Sequence, residues 1–191
     1  MRALNRAVVL VGFMGAGKTS VGRALAERLN WSFEDLDDRV TARERRTVPE
    51  IFKVSGEFEF RRAEHAALQT VIEELQAGSA KVVALGGGAF VQKANADLLE
   101  ASGIPTVFLD APADELWKRC SAQASAVGIE RPLLHGMDQF RELYEARRTN
   151  YAKASVRVDT KARTVAEIAA EIQQSLGLEE IVVRREQGEV E

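Results

Sequence analysis

The sequence is poor in the groups that cross-link secreted proteins or bind soft metals. It has a single cysteine, Cys120, so no intrachain disulfide is possible, and a reducing, cytoplasmic location is expected. His65 and His135 are the two histidines; they lie far apart and lack metal-ligand spacing, so both read as surface or packing residues. No apolar run approaches the ~20 residues of a membrane-spanning helix. Residues 1–6 lead straight into an apolar stretch, which predicts no signal peptide. The formal net charge is only −3, so no basic face is available for a polyanion and no nucleic-acid partner is expected. There is no N-K-x-D guanine motif, which argues against a regulatory GTPase. Internal repeats and low-complexity linkers are also missing. What is present is ordinary for a soluble domain: 191 residues, 46% hydrophobic and 29% charged, enough for one substantial core. The expected organisation is one domain over 1–177 and a charge-rich tail over 178–191, with a last short element around residues 181–183.

The strongest local signal is Gly12-Phe13-Met14-Gly15-Ala16-Gly17-Lys18-Thr19, which matches the G-x-x-x-x-G-K-[ST] phosphate cradle. It follows the apolar run Ala7–Val11, a buried parallel strand by pattern, and opens a helical periodicity over Lys18–Leu29. In that context the glycines let backbone N–H groups converge on phosphate oxygens, reinforced by the helix N-terminus. Gly15, Ala16, Gly17, Lys18, Thr19 and Ser20 are therefore expected to bind a nucleoside triphosphate. Lys18 is placed to reach the β- and γ-phosphates, and the Thr19 hydroxyl to ligate Mg²⁺.

Strand and helix signals alternate along the rest of the chain. Strands are expected at Ala7–Val11, Ser32–Asp35, 82–85, 106–109 and 156–158. Helices are expected at Lys18–Leu29, 38–45, 58–76, 94–101, 113–120, 140–151 and Val165–Leu176, the last opened by the capping box Thr164…Glu167 and stopped by Gly177. Such alternation predicts an α/β fold, a parallel sheet covered by helices on both faces, with ligands beyond the carboxyl ends of the strands. Residues 121–136 show little periodicity, and a loop of that length reads as functional or mobile.

Several groups fall at that edge. Asp35-Leu36-Asp37 ends the second strand. Residues i and i+2 of an extended segment face the same side, so both carboxylates can meet the phosphate loop, one near a metal-bound water and the other near an attacking hydroxyl. The plainer alternative is that an aspartate here caps the following helix. Arg61-Arg62 lies early in a helix, where either arginine can be solvated beside Glu57 and Glu59. Gly86-Gly87-Gly88 follows the third strand and gives a ligand close access to backbone, or else makes a tight strand exit. Arg131-Pro132-Leu133-Leu134 puts a cation in the irregular segment, either on a closing lid or merely exposed. Arg147 has the same two readings on its helix.

Taken together and in this order, the motifs resemble the shikimate kinase family, a small branch of the nucleoside-monophosphate-kinase-like P-loop folds. The resemblance covers nearly all of residues 6–177. It rests on 12–19, Asp35-Leu36-Asp37, Gly56-Glu57-Phe58-Glu59-Phe60-Arg61, Gly86-Gly87-Gly88, Arg131-Pro132-Leu133-Leu134, the Arg147…Tyr151 spacing and Val158-Asp159-Thr160. Thr149-Asn150 stand where relatives often have Pro-Leu.

The resemblance implies a three-layer P-loop kinase fold with a five-stranded parallel sheet in order 2-3-1-4-5 and a lid near 121–136. It implies ATP and Mg²⁺, with Thr19 on the metal and Asp35 reaching it through water. The implied activity is phosphorylation of the 3-hydroxyl of shikimate, a step of aromatic amino acid and chorismate biosynthesis. Lys18, Asp37 and Arg131 would be catalytic, and Asp37, Arg61, Gly87, Gly88 and Arg147 would bind the acceptor. Arg119 would stack on adenine, and the protein would be a monomer. A related small-metabolite kinase, such as a gluconate kinase, and a non-catalytic nucleotide- or metabolite-binding module are the alternatives.

Overall fold

A computed structural model describes residues 6–127 and 136–181. Five strands, β1 (Ala7–Val11), β2 (Ser32–Asp35), β3 (Lys81–Ala84), β4 (Thr106–Asp110) and β5 (Val156–Asp159), form one sheet. Every pairing is parallel and the order is β2-β3-β1-β4-β5, as the resemblance implied. Central β1 and its neighbour β4 are buried along their whole length, which is why β1 and residues 107–109 of β4 read as continuous apolar runs rather than alternating ones. Among the described residues, seven helices accompany the strands: α1 (Lys18–Leu29), α2 (Leu36–Glu44), α3 (Val48–Gln76), α4 (Lys93–Ser102), α5 (Ala113–Val127), α6 (Met137–Tyr151) and α7 (Val165–Leu176). The expected capping box forms at α7, where Thr164 accepts from the Glu167 amide and Glu167 takes the Thr164 amide; Gly177 closes the helix at φ 59°.

Four local expectations change. First, Asp37 is not on the strand. The chain turns helical at Leu36 because Asp35 caps α2, its Oδ1 accepting from the Asp37 amide at 3.1 Å. Second, the helix expected from residue 58 begins at Val48, started by a capping box between Thr47 and Glu50 with proline in the first turn. That helix bends at Gly56, whose φ of 81° and ψ of 173° are non-helical. Third, the segment from residue 121 is helical as far as Val127, in keeping with its run of alanines and a high helix propensity. The remaining expected lid residues 128–135, including Arg131 and His135, lie outside the described residues. Fourth, the tail is anchored at its start: Leu178 is 5% exposed, and the Ile181 amide donates to the Leu29 carbonyl at 2.9 Å. Residues 182–191 lie outside the described residues.

His65 behaves as a packing residue, with Nδ1 2.6 Å from the buried Asn95 Oδ1. Among the described residues no helix is long and apolar enough to cross a membrane.

Candidate active site

The phosphate loop bridges the carboxyl end of β1 and the first turn of α1. Gly15 and Gly17 take φ values of 79° and 87°, which turn the backbone so that the loop curls around its own amides. Lys18 Nζ donates to the carbonyls of Gly12 at 2.9 Å and Phe13 at 3.0 Å, folded across the loop that it would hold with phosphate present. The next side chain, Thr19, donates from Oγ1 to Asp35 Oδ2 at 2.9 Å. Asp35 therefore does two things at once: one oxygen caps α2 and the other faces the phosphate loop. Ser20 follows in the exposed first turn of α1.

Thr19 and Asp35 offer paired hard oxygen donors at the loop, the kind of donor Mg²⁺ takes. Among the described residues no group of three or more His, Cys, Asp and Glu side chains could hold an ion alone. An ion at this point fits only as Mg²⁺ commonly binds, completed by substrate oxygens and water.

Asp37 projects from the first turn of α2 into the cleft beside the loop. Burial pushes its carboxyl pKa upward, and the Asp35 charge adds to the rise; Lys18 and Arg61 pull against it. Its Oδ1 is buried and has no hydrogen-bond partner. A buried acceptor without a donor is costly, and such a group is explained when a ligand supplies the missing hydrogen bond. Gly86 borders that atom: a Cβ there would stand 2.7 Å from Asp37 Oδ1.

Helix α3 carries Arg61 to the other side of the same space. The two arginines that local sequence could not separate have opposite fates. Arg62 is 73% exposed and pairs with Glu59, a solvated helix pair. Arg61 is 19% exposed and donates to Glu64 Oε2 at 2.8 Å, with a weaker contact to Glu57 at 3.3 Å. A Cβ on Gly88 would stand 2.5 Å from the Arg61 guanidinium, so only glycine lets the loop and the arginine lie this close. From α6, Arg147 reaches the same loop, NH1 donating to the Gly87 carbonyl at 3.4 Å while its guanidinium lies 5.8 Å over the Phe13 ring. Its neighbour Arg148 turns away to Asp110 at 3.3 Å. Asp37, Arg61, Arg147 and the triple glycine thus converge next to the phosphate loop.

Arg119 sits apart from that group. It leaves α5 near the carboxyl end of β5, where NH1 donates to Thr160 Oγ1 at 3.1 Å and NH2 to the Thr160 carbonyl at 2.9 Å; Nε contacts Glu115 at 3.2 Å. The same helix backs the phosphate loop, since a Cβ on Gly15 would meet the Leu116 carbonyl at 2.7 Å and Cys120 Sγ at 2.8 Å.

Two residues beside the site were given no role by the sequence reading. Glu64 is 1% exposed and ion-paired with Arg61. Its i,i+3 spacing from Arg61 was available as a signal. Burial, which no local pattern reports, is what separates it from an ordinary helix glutamate. Tyr151 is fully buried and donates its hydroxyl hydrogen to the Gly87 carbonyl. Its four-residue spacing from Arg147 placed both on one face of α6.

A family model for shikimate kinase matches residues 14–177. A shikimate kinase of Symbiobacterium thermophilum is 42% identical over 174 residues, which is 88% of this chain and 95% of the relative. Among solved structures, shikimate kinase from Acinetobacter baumannii in complex with shikimate aligns with a TM-score of 0.77 at 34% identity, over 90% of this chain and 93% of that one. A gluconokinase from Sinorhizobium meliloti 1021 aligns with a TM-score of 0.56 at 22% identity, over 92% of this chain and 94% of that one, a likeness of fold alone.

Proposed function

Because the chain belongs to the shikimate kinase family, we propose that its cleft transfers the γ-phosphoryl group of ATP to the 3-hydroxyl of shikimate, with the residues above in the following roles. Family membership makes the protein a P-loop, ATP-binding transferase of aromatic amino acid biosynthesis. The observation that carries the residue assignment is the meeting of one half-buried carboxylate, Asp37, with two guanidiniums, Arg61 and Arg147, and a side-chain-free loop beside the phosphate cradle. An acceptor with a carboxylate at one end and hydroxyls at the other fits that set.

Arg61 and Arg147 grip the acceptor carboxylate, each guanidinium able to donate two parallel hydrogen bonds. That anchors the ring and aims one hydroxyl at Asp37. The hydroxyl donates to the unpartnered Oδ1, which fixes the attacking oxygen and later receives its proton. The upward pKa of Asp37 suits a group that takes up a proton as the P–O bond forms. Lys18 exchanges the loop carbonyls for β- and γ-phosphate oxygens and holds the developing charge. Gly15 to Ser20 cradle the phosphates. Thr19, and Asp35 through a water, would hold Mg²⁺, which supplies charge neutralisation across the phosphate oxygens. Arg119 packs beside adenine, and Arg131, which lies outside the described residues, keeps the role that the resemblance implies, contact with the transferred phosphate. Gly87 and Gly88 line the acceptor side. The protein acts as a monomer.

Purified protein with ATP, Mg²⁺ and a panel of hydroxy acids tests the reading through ADP release. Shikimate-dependent turnover is expected. Turnover with gluconate instead would replace the acceptor, and nucleotide binding with no turnover on any acid would replace the enzyme by a binding module.

A further inference from the structure

Tyr151 occupies a position that none of the assigned roles uses. It ends α6 with its ring fully buried, stacked on Phe108 of β4 at a centroid distance of 5.3 Å and an interplanar angle of 29°. Only its hydroxyl leaves the apolar packing, and it does so at the acceptor cleft. The hydroxyl donates to the Gly87 carbonyl, the same atom that Arg147 approaches at 3.4 Å from one helical turn earlier. Tyr151 and Arg147 thus meet at one carbonyl oxygen, with Phe13 of the phosphate loop lying under the guanidinium at 5.8 Å.

We infer that Tyr151 is a positioning residue for the acceptor: its hydroxyl is the main donor to the Gly87 carbonyl, so Arg147 touches that carbonyl by one long contact only and keeps the rest of its guanidinium for the substrate carboxylate. The reasoning is one of competition. Gly87 O is a strong acceptor in a partly closed site and needs a donor. Arg147 is the other donor in reach, held at a long 3.4 Å. With the phenol present, the arginine need not close that distance. Without it, Arg147 is drawn onto the carbonyl and gives up part of its fork. Burial pushes the phenol pKa up to about 12, so the hydroxyl stays a donor throughout the working range. The inference rests on the shikimate reading of the cleft.

Tyr151→Phe keeps the ring and the stack on Phe108 and removes one oxygen. The expected result is a KM for shikimate raised about tenfold, with kcat within about threefold of wild type and the KM for ATP unchanged, since the loss is of acceptor binding. Shikimate titrated calorimetrically should show the same fold-loss in Kd. Tyr144→Phe is the control. It deletes a phenol on the same helix that donates to Asp110 at 2.7 Å, and it should lower Tm without moving the shikimate KM. A wild-type enzyme that turns over shikimate, beside a Tyr151→Phe variant that loses only Tm, would overturn the positioning role and leave the function standing. A wild-type enzyme with no shikimate turnover would overturn the function and this inference with it.

Discussion

Glu64 is buried to 1% exposure, and only one of its oxygens is paired: Oε2 meets Arg61, while Oε1 has no partner. Burial is the largest influence on its carboxyl and raises the pKa; the Arg61 charge and hydrogen bond oppose it without cancelling it. The folded state then binds a proton more tightly than the unfolded chain does. Above the ordinary value of 4.5, folding carries more bound protons than unfolding, so stability falls as pH rises towards the raised folded value. Glu64→Gln removes that ionisation. Its Tm relative to wild type should climb as pH increases past 4.5, and its shikimate KM should rise because Arg61 loses its ionic anchor. Thermal melts of both proteins across that range check the sign; a difference independent of pH would show that the buried charge costs the fold nothing. Helical position alone left Arg61 and Arg62 unresolved, and only the family resemblance favoured Arg61. The choice between them is made by which one faces a buried carboxylate, a tertiary fact. Asp35 and Asp37 were legible as a pair facing the phosphate loop, though the supposed strand spacing is in fact a helix cap, with Asp37 in the first turn of α2.

At the scale of elements, the bend in α3 separates the short piece from Val48 to Ser55 from the long piece bearing Arg61 and Glu64. Gly56 sits at φ 81° and ψ 173°, a region essentially closed to side-chain-bearing residues. A Cβ there would meet nothing within 4 Å, so substitution adds no collision and the whole penalty is backbone strain. Gly56→Ala should therefore destabilise by about 1–3 kcal/mol, a Tm lower by about 2–4 °C per kcal/mol for a chain of this size. The direction of the long piece would shift with it and raise the shikimate KM. Differential scanning calorimetry and acceptor kinetics read the two effects. An unchanged Tm would mean that α3 straightens at no cost. The short piece was readable in principle, because Thr47-Val48-Pro49-Glu50 carries the same reciprocal capping chemistry that marked Thr164 and Glu167. The glycine and the exposed Phe52 and Val54 broke the apolar periodicity that would have announced it. By contrast, β1 and the centre of β4, residues 107–109, were plain in the sequence because burial on both faces leaves no polar position in those runs.

Over the whole molecule, the order β2-β3-β1-β4-β5 distributes the cleft around one strand. The phosphate loop leaves central β1. The triple glycine leaves β3 on one side, and α5 with Arg119 packs towards the β4 and β5 side. The parallel sheet was legible because each strand-to-helix alternation demands a parallel crossover, whereas the strand order and the convergence of α2, α3 and α6 side chains came only from the family resemblance, since both depend on packing between elements far apart in sequence. The donor and acceptor halves should therefore be separable in solution. A ligand at a hundred times its Kd stabilises by about 2.7 kcal/mol, and at about 2–4 °C per kcal/mol wild type should gain about 5–10 °C with Mg·ATP and a similar amount with shikimate. Lys18→Ala should lose most of the ATP shift, keep the shikimate shift and lower kcat by about 10²–10³ through lost charge stabilisation. Arg61→Ala should do the reverse, keeping the ATP shift and losing that of shikimate, whatever its own baseline Tm. Both shifts vanishing in both variants would mean that the two halves form a single cooperative site rather than adjoining ones, and the roles given to Lys18 and Arg61 would have to be merged.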